Sequence, residues 1–129
     1  MNKKGFNLIE IMVAVIILGI LSSTFMWNLT SYIEKSKGSE AKEILTKAFG
    51  GFNRLVIDGD ATTNINWSML GFDWDPNGFE PGKRYFDYAF DNVANPTNLT
   101  ATRIGDATKW ISINLRTGRM TNSGFYGKW

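Results

Sequence analysis

Cysteine and histidine are both absent from the 129 residues. Without cysteine there is neither a disulfide framework nor thiolate chemistry. Without histidine the chain loses the commonest general base, the side chain that titrates near neutral pH and the best zinc ligand. Carboxylates and lysines remain, but no serine–base–acid constellation and no phosphate-cradling glycine loop is visible. The sequence therefore reads as a non-enzyme that needs no cofactor. An excess of one charge is also nearly missing, with 14 basic against 12 acidic residues. Lys3 and Lys4 supply that whole excess, so the remainder is balanced and carries no electrostatic footprint for nucleic acid.

Charge is scarcest near the N-terminus. From Ile11 through Ile33 the only ionisable side chain is the Tyr32 phenol, and a helix needs about 20 residues to cross a ~30 Å hydrocarbon core. Glu10 stands alone at the head of this run, where a buried carboxylate costs about 2.5–3.5 kcal/mol at mid-bilayer and less near the interface. Two lysines before an apolar run follow the positive-inside pattern, with the N-terminus cytoplasmic and the rest outside. A secretory signal would end in a small-residue cleavage site, and Ser22-Ser23-Thr24 is followed by further apolar residues, Phe25, Met26 and Trp27. An uncleaved anchor explains the span but leaves Gly5, Phe6 and Glu10 without a role.

Lys4-Gly5-Phe6 followed by Asn7-Leu8-Ile9-Glu10 and the run to Leu21 resembles the N-terminus of type IV pilins and type II secretion pseudopilins. The resemblance implies that a prepilin peptidase cuts between Gly5 and Phe6, N-methylates Phe6, and leaves Glu10 as the characteristic glutamate of the mature helix. Asn7 departs from the usual Thr or Ser. Gly19 matches the glycine where many pilin helices loosen inside the filament, whereas Trp27 stands where a proline is common. Physical chemistry agrees with this picture. A cut before Phe6 creates a cationic amine, and a neighbouring subunit can offer that amine to Glu10, pairing two charges whose separate burial is costly. The implied partners are further copies of the chain (as a homopolymer or with minor pilins), the peptidase, and an inner-membrane assembly platform with its ATPase. The implied location is the inner membrane as a single-pass chain before assembly, then a surface or periplasmic filament.

The helical pattern continues past the apolar run. Ala41, Ile44, Leu45, Ala48, Phe49, Phe52, Leu55 and Val56 recur at spacings of three and four. Phe6 to about Ile57 is expected as one helix of roughly 78 Å, with Gly38 as a bend and Gly50-Gly51 admitting the sheet. Residues 61–82 read as a loop carrying Trp67, Met69, Leu70 and Phe72 as core plugs on a short helix. Strands are expected at Arg84 to Phe90, Leu99 to Ile104, Trp110 to Leu115 and around Met120. The expected organisation is a leader (1–5), a transmembrane or filament-core helix (6–32) and a globular region (33–129). The last divides into an amphipathic helix (33–57), a loop (58–82) and a sheet (83–129). The fold class is α+β, pilin-like, with the long helix packed on three to four antiparallel strands.

Asp73-Trp74-Asp75-Pro76-Asn77-Gly78 fits the first six positions of a calcium loop, but Arg84 occupies the twelfth, where a bidentate glutamate belongs. An ordinary Asx/Pro/Gly turn is the expectation, with no metal. The aromatics beyond Asp60 read as the core of a small disulfide-free domain. Two rival functions remain beside the pilus subunit: a secretion pseudopilin, and a single-span anchored binding module. Secretion-type major subunits usually carry a calcium-binding loop, which this chain does not clearly show.

Overall fold

The computed structural model describes residues 5, 7–78 and 83–127. One helix, α1 (Leu8–Asp58), is followed by four strands, β1 (Phe86–Phe90), β2 (Asn98–Arg103), β3 (Trp110–Asn114) and β4 (Met120–Asn122). The strands form one antiparallel sheet in the order β1-β2-β3-β4. The chain divides into two compact units, Met1–Glu34 and Lys35–Trp129.

In the second unit, helix periodicity and strand alternation meet in one core. Ala41, Leu45, Ala48, Phe52 and Leu55 lie on one helix face and are buried. Phe86 and Tyr88, Leu99 and Ala101, and Ile111 and Ile113 are the alternate residues of β1, β2 and β3 that turn inward. Their register fits that role, with Leu99 opposite Ile113 and Ala101 opposite Ile111. Ala41 and Ala48, both fully buried, leave room for helix and sheet to approach closely. This is the expected α+β fold, a long helix packed on a four-stranded antiparallel sheet.

Local differences from expectation have identifiable causes. The first strand starts at Phe86, because Arg84 turns its guanidinium to Asp87 (2.7 Å) and to the Asn77 carbonyl (2.6 Å). The core segment of the loop is a turn instead of a short helix. Asn66 Oδ1 accepts the Met69 N–H (2.9 Å), Phe72 N–H returns to the Trp67 carbonyl (3.0 Å), and Gly71 ends the turn at φ +83°. Leu70 and Phe72 are buried, Trp67 and Met69 pack against the core, and Ile65 joins them although its isolated position gave no periodic signal. Val56, expected on the core face, is 54% exposed.

Gly38 makes no helix boundary, since α1 runs through it. A Cβ there would overlap the Tyr126 ring, so its bare backbone seats the C-terminal segment. A Cβ on Gly51 would overlap the Leu70 carbonyl, so that glycine admits the loop and not the sheet. Gly50 has open space around it. Part of the expected loop, residues 79–82, lies outside the described residues.

Candidate functional site

The expected site starts at the head of α1. Phe6 and residues 1–4 lie outside the described residues, so the expected cut has only Gly5 on its described side. Asn7 occupies the N-cap position. Its carbonyl accepts the N–H of Ile11 (3.2 Å), and its own N–H donates to Glu10 Oε2 (3.4 Å). Glu10 thus closes one half of a capping box, reaching back from the third helical position. Its carboxylate also lies in the first turn, where the helix dipole favours negative charge by about 0.3–1 kcal/mol. Asn7, a departure from the Thr or Ser of the resemblance, is thus also the cap of the helix. The Asn-x-x-Glu spacing was the signal that would have revealed its capping role.

Between Leu8 and Ile33 the large apolar side chains are all substantially exposed, from 37% at Leu29 to 83% at Trp27. Fully burying one such side chain is worth about 1.5–3 kcal/mol, so this surface is strongly unfavourable in water. Three of the hydroxyls along it fold back onto the helix. Ser23 Oγ donates to the Ile20 carbonyl (2.8 Å), Thr24 Oγ1 to Leu21 (2.9 Å) and Thr30 Oγ1 to Met26 (2.8 Å). A continuous helix with hydroxyls bonded to its own carbonyls suits a medium that offers no hydrogen bonds. By length and composition the segment is able to cross a membrane. Among the described residues, a Cβ on Gly19 would meet no atom within 4 Å outside its own stretch of helix.

The acidic loop is built differently. Asp75 Oδ1 accepts the Asn77 N–H (2.8 Å), an Asx turn. The Asn77 carboxamide then pairs with the backbone of Tyr88, donating to its carbonyl (2.7 Å) and accepting its N–H (2.8 Å). Two calcium-loop positions are therefore committed elsewhere: Asn77 to strand β1, and Arg84 to Asp87 and the Asn77 carbonyl. Burial, and then the Glu40 charge, pushes the Tyr88 phenol upward, so it stays neutral and offers no base at ordinary pH.

Comparison with protein families matches residues 1–26 to the prokaryotic N-terminal methylation motif. The match covers the leader-like residues, Gly5, Phe6, Glu10 and Gly19, and ends before the globular unit begins. No curated protein and no solved structure matches the chain. The chain thus carries at its N-terminus the methylation motif characteristic of type IV pilins and pseudopilins, on a fold of the pilin-like α+β class.

Proposed function

We propose that the chain is the structural subunit of a type IV pilus-like filament. In this reading residues 1–5 are a leader removed by a prepilin peptidase between Gly5 and Phe6, and Phe6 is N-methylated. Residues 6–32 hold the protein in the inner membrane as a single span. They later pack against the same segment of other copies in the filament core. The single observation that carries the reading is the pairing of the methylation motif with a helix whose apolar surface is exposed along the whole Leu8–Ile33 stretch. Such a surface needs lipid in the monomer and neighbouring helices in the polymer.

Glu10 has a separate role in each state. In the monomer its carboxylate sits at the head of the helix with the Asn7 N–H. In the filament it pairs with the Phe6 amine of an adjacent subunit, which offsets the desolvation of both charges and fixes axial register. Gly19, with open space around it, serves helix approach or loosening in the polymer. A pilus subunit is preferred over a secretion pseudopilin because the sequence shows no clear counterpart of the calcium-binding loop usual in secretion-type major subunits.

Intact-mass analysis of the purified protein tests the processing step. A mature chain starting at Phe6 with one added methyl is expected, whereas a chain still carrying Met1 or Asn2 belongs to the anchored-module reading. The assembly step is tested by Glu10→Leu as sole subunit. Cleavage and membrane level should be retained while sheared filaments disappear, because the partner amine is left buried at a cost of roughly 3–5 kcal/mol per subunit. Abundant filaments from that variant would remove the pairing argument.

A further inference from the structure

The segment Asp73-Trp74-Asp75-Pro76-Asn77-Gly78 takes no part in the membrane or filament reading, yet it holds the one Asn-Gly pair of the chain. An asparagine before glycine is open to a reaction within its own backbone. Glycine has no Cβ to shield its amide nitrogen and has the widest choice of φ and ψ. That nitrogen can therefore swing onto the carboxamide one residue back. Here the Gly78 nitrogen attacks Asn77 Cγ and a new C–N bond forms. The Cγ–Nδ2 bond breaks, and the Gly78 amide proton leaves with the departing ammonia. Water then opens the five-membered imide. Cleavage at Cγ leaves aspartate, while cleavage at the main-chain carbonyl carbon leaves isoaspartate, whose backbone is one carbon longer.

The turn calls for this glycine. A Cβ on Gly78 would lie 3.1 Å from the Asp75 carbonyl oxygen and 3.3 Å from Asp75 Cβ, tighter than ordinary packing. The same turn keeps both reacting groups occupied. The Gly78 N–H donates to the Asp75 carbonyl (2.8 Å), so the attacking nitrogen is held to its proton. Asn77 Nδ2 donates to the Tyr88 carbonyl (2.7 Å), and Asn77 Oδ1 accepts the Tyr88 N–H (2.8 Å). The main chain of Asn77 is fixed on both sides, its N–H on Asp75 Oδ1 (2.8 Å) and its carbonyl by Arg84 Nη1 (2.6 Å). Bringing Cγ onto the Gly78 nitrogen requires release of both Tyr88 bonds.

We propose that Asn77 is a site of spontaneous deamidation held in check by the fold, so that its conversion records openings of the Asn77–Tyr88 contact and prevents full re-closure. A group that reacts only when opened reacts in proportion to the time spent open. The block on re-closure follows from donors and acceptors. A carboxamide gives Tyr88 one of each, whereas an ionised carboxylate has acceptors alone. It can still take the Tyr88 N–H, but its second oxygen then faces the Tyr88 carbonyl and leaves it unanswered. Isoaspartate also shifts the group by lengthening the main chain.

The test follows Asn77 by peptide mapping and mass spectrometry in the full chain, held in mild detergent at about pH 7.5. Samples with and without guanidinium chloride above the unfolding midpoint are compared. In denaturant Asn77 should exchange NH2 for OH and give two products, faster than any other asparagine. In the folded chain the conversion should be at least about tenfold slower. Gly78→Ala should slow the reaction in denaturant, where folding plays no part. Equal rates in the folded and unfolded chain, or an Asn77 that stays unconverted in denaturant, overturn the proposal. Faster conversion in the folded chain overturns it in favour of a turn that promotes the attack. A second measurement addresses re-closure. Asn77→Asp should unfold at lower denaturant than the unmodified chain at about pH 7. That gap should narrow as pH falls to about 3.5, because a protonated carboxyl regains a donor for the Tyr88 carbonyl. A gap that is absent, or that does not change with pH, overturns the block on re-closure.

Discussion

Leu18 and Leu45 are the same residue in the same helix, yet Leu18 is 61% exposed and Leu45 is fully buried. The difference between them runs through the whole molecule. Along Leu8–Ile33 the apolar residues occupy every side of the helix and the large ones are all exposed. From Ala41 to Leu55 they occupy one stripe, and the sheet and the residue 59–78 loop cover it. An apolar residue in a stripe is satisfied by its own chain, while an apolar residue in an all-round run needs a medium or another chain. One helix therefore contains a half that completes a fold and a half that awaits surroundings.

Truncation should separate the two halves of the helix most sharply. A chain beginning at residue 35 should be soluble and monomeric, with mixed helix and strand signals in circular dichroism. One beginning at residue 61 should fail to fold, because Ala41, Leu45, Ala48, Phe52 and Leu55 leave with the helix. Equal stability of the two would mean that the helix is not the spine of the core.

Next comes the leucine pair itself. Leu45→Ala should destabilise the globular unit by about 2–5 kcal/mol in denaturant titration, whereas Leu18→Ala should leave that transition unmoved. The adjacent glycines sharpen the same contrast on a smaller scale. Gly51→Ala puts a methyl against the Leu70 backbone and should cost about 1–3 kcal/mol. Gly50→Ala meets no atom and should stabilise by up to about 1 kcal/mol through helix propensity alone.

The smallest expected effect is electrostatic. Partial burial works against the Asp91 carboxylate. Even so, hydrogen bonds from the N–H groups of Thr97 and Asn92, together with backbone and side-chain bonds to Asn98, hold its pKa below the usual range. A depressed carboxyl contributes stability that is present above its unfolded value, near pH 3.9, and is lost as pH falls through the folded value. Melts at about pH 6 and about pH 3 should therefore differ slightly more for the unmodified chain than for Asp91→Ala. At this exposed site the difference should be about 0.2–1 kcal/mol after solvent screening.

Much of the fold was legible because periodicity reports burial. The three-and-four spacing from Ala41 to Leu55 and the alternation of Ile111, Ile113 and Leu115 each declared a buried face, and those faces meet. What escaped was set by single long-range contacts. Gly38 reads locally only as a weak point in the helix, because nothing nearby in sequence shows that Tyr126, far along the chain, needs the space. Ile65 was passed over because one apolar residue in a loop has no period. At the head of the helix, Glu10 was conspicuous as a lone carboxylate beside an apolar run. Its bond to the Asn7 N–H follows from the three-residue Asn-x-x-Glu spacing.

The side chain of Asn77 has a consequence for how copies of this protein can join. Strand β1 is the outermost strand of its sheet, and a bare outer strand is a template on which another chain can add itself by backbone pairing. Asn77 answers the N–H and the carbonyl of Tyr88 with a carboxamide of matching shape, so a side chain stands where an invading strand would dock. The opposite border, β4, offers only the three residues Met120–Asn122. On the proposed reading the subunits are concentrated in a membrane, where an open sheet would invite amyloid-like stacking. With the middle of one border answered by a side chain and the other border only three residues long, the proposed helix-to-helix contact is the better route to a polymer.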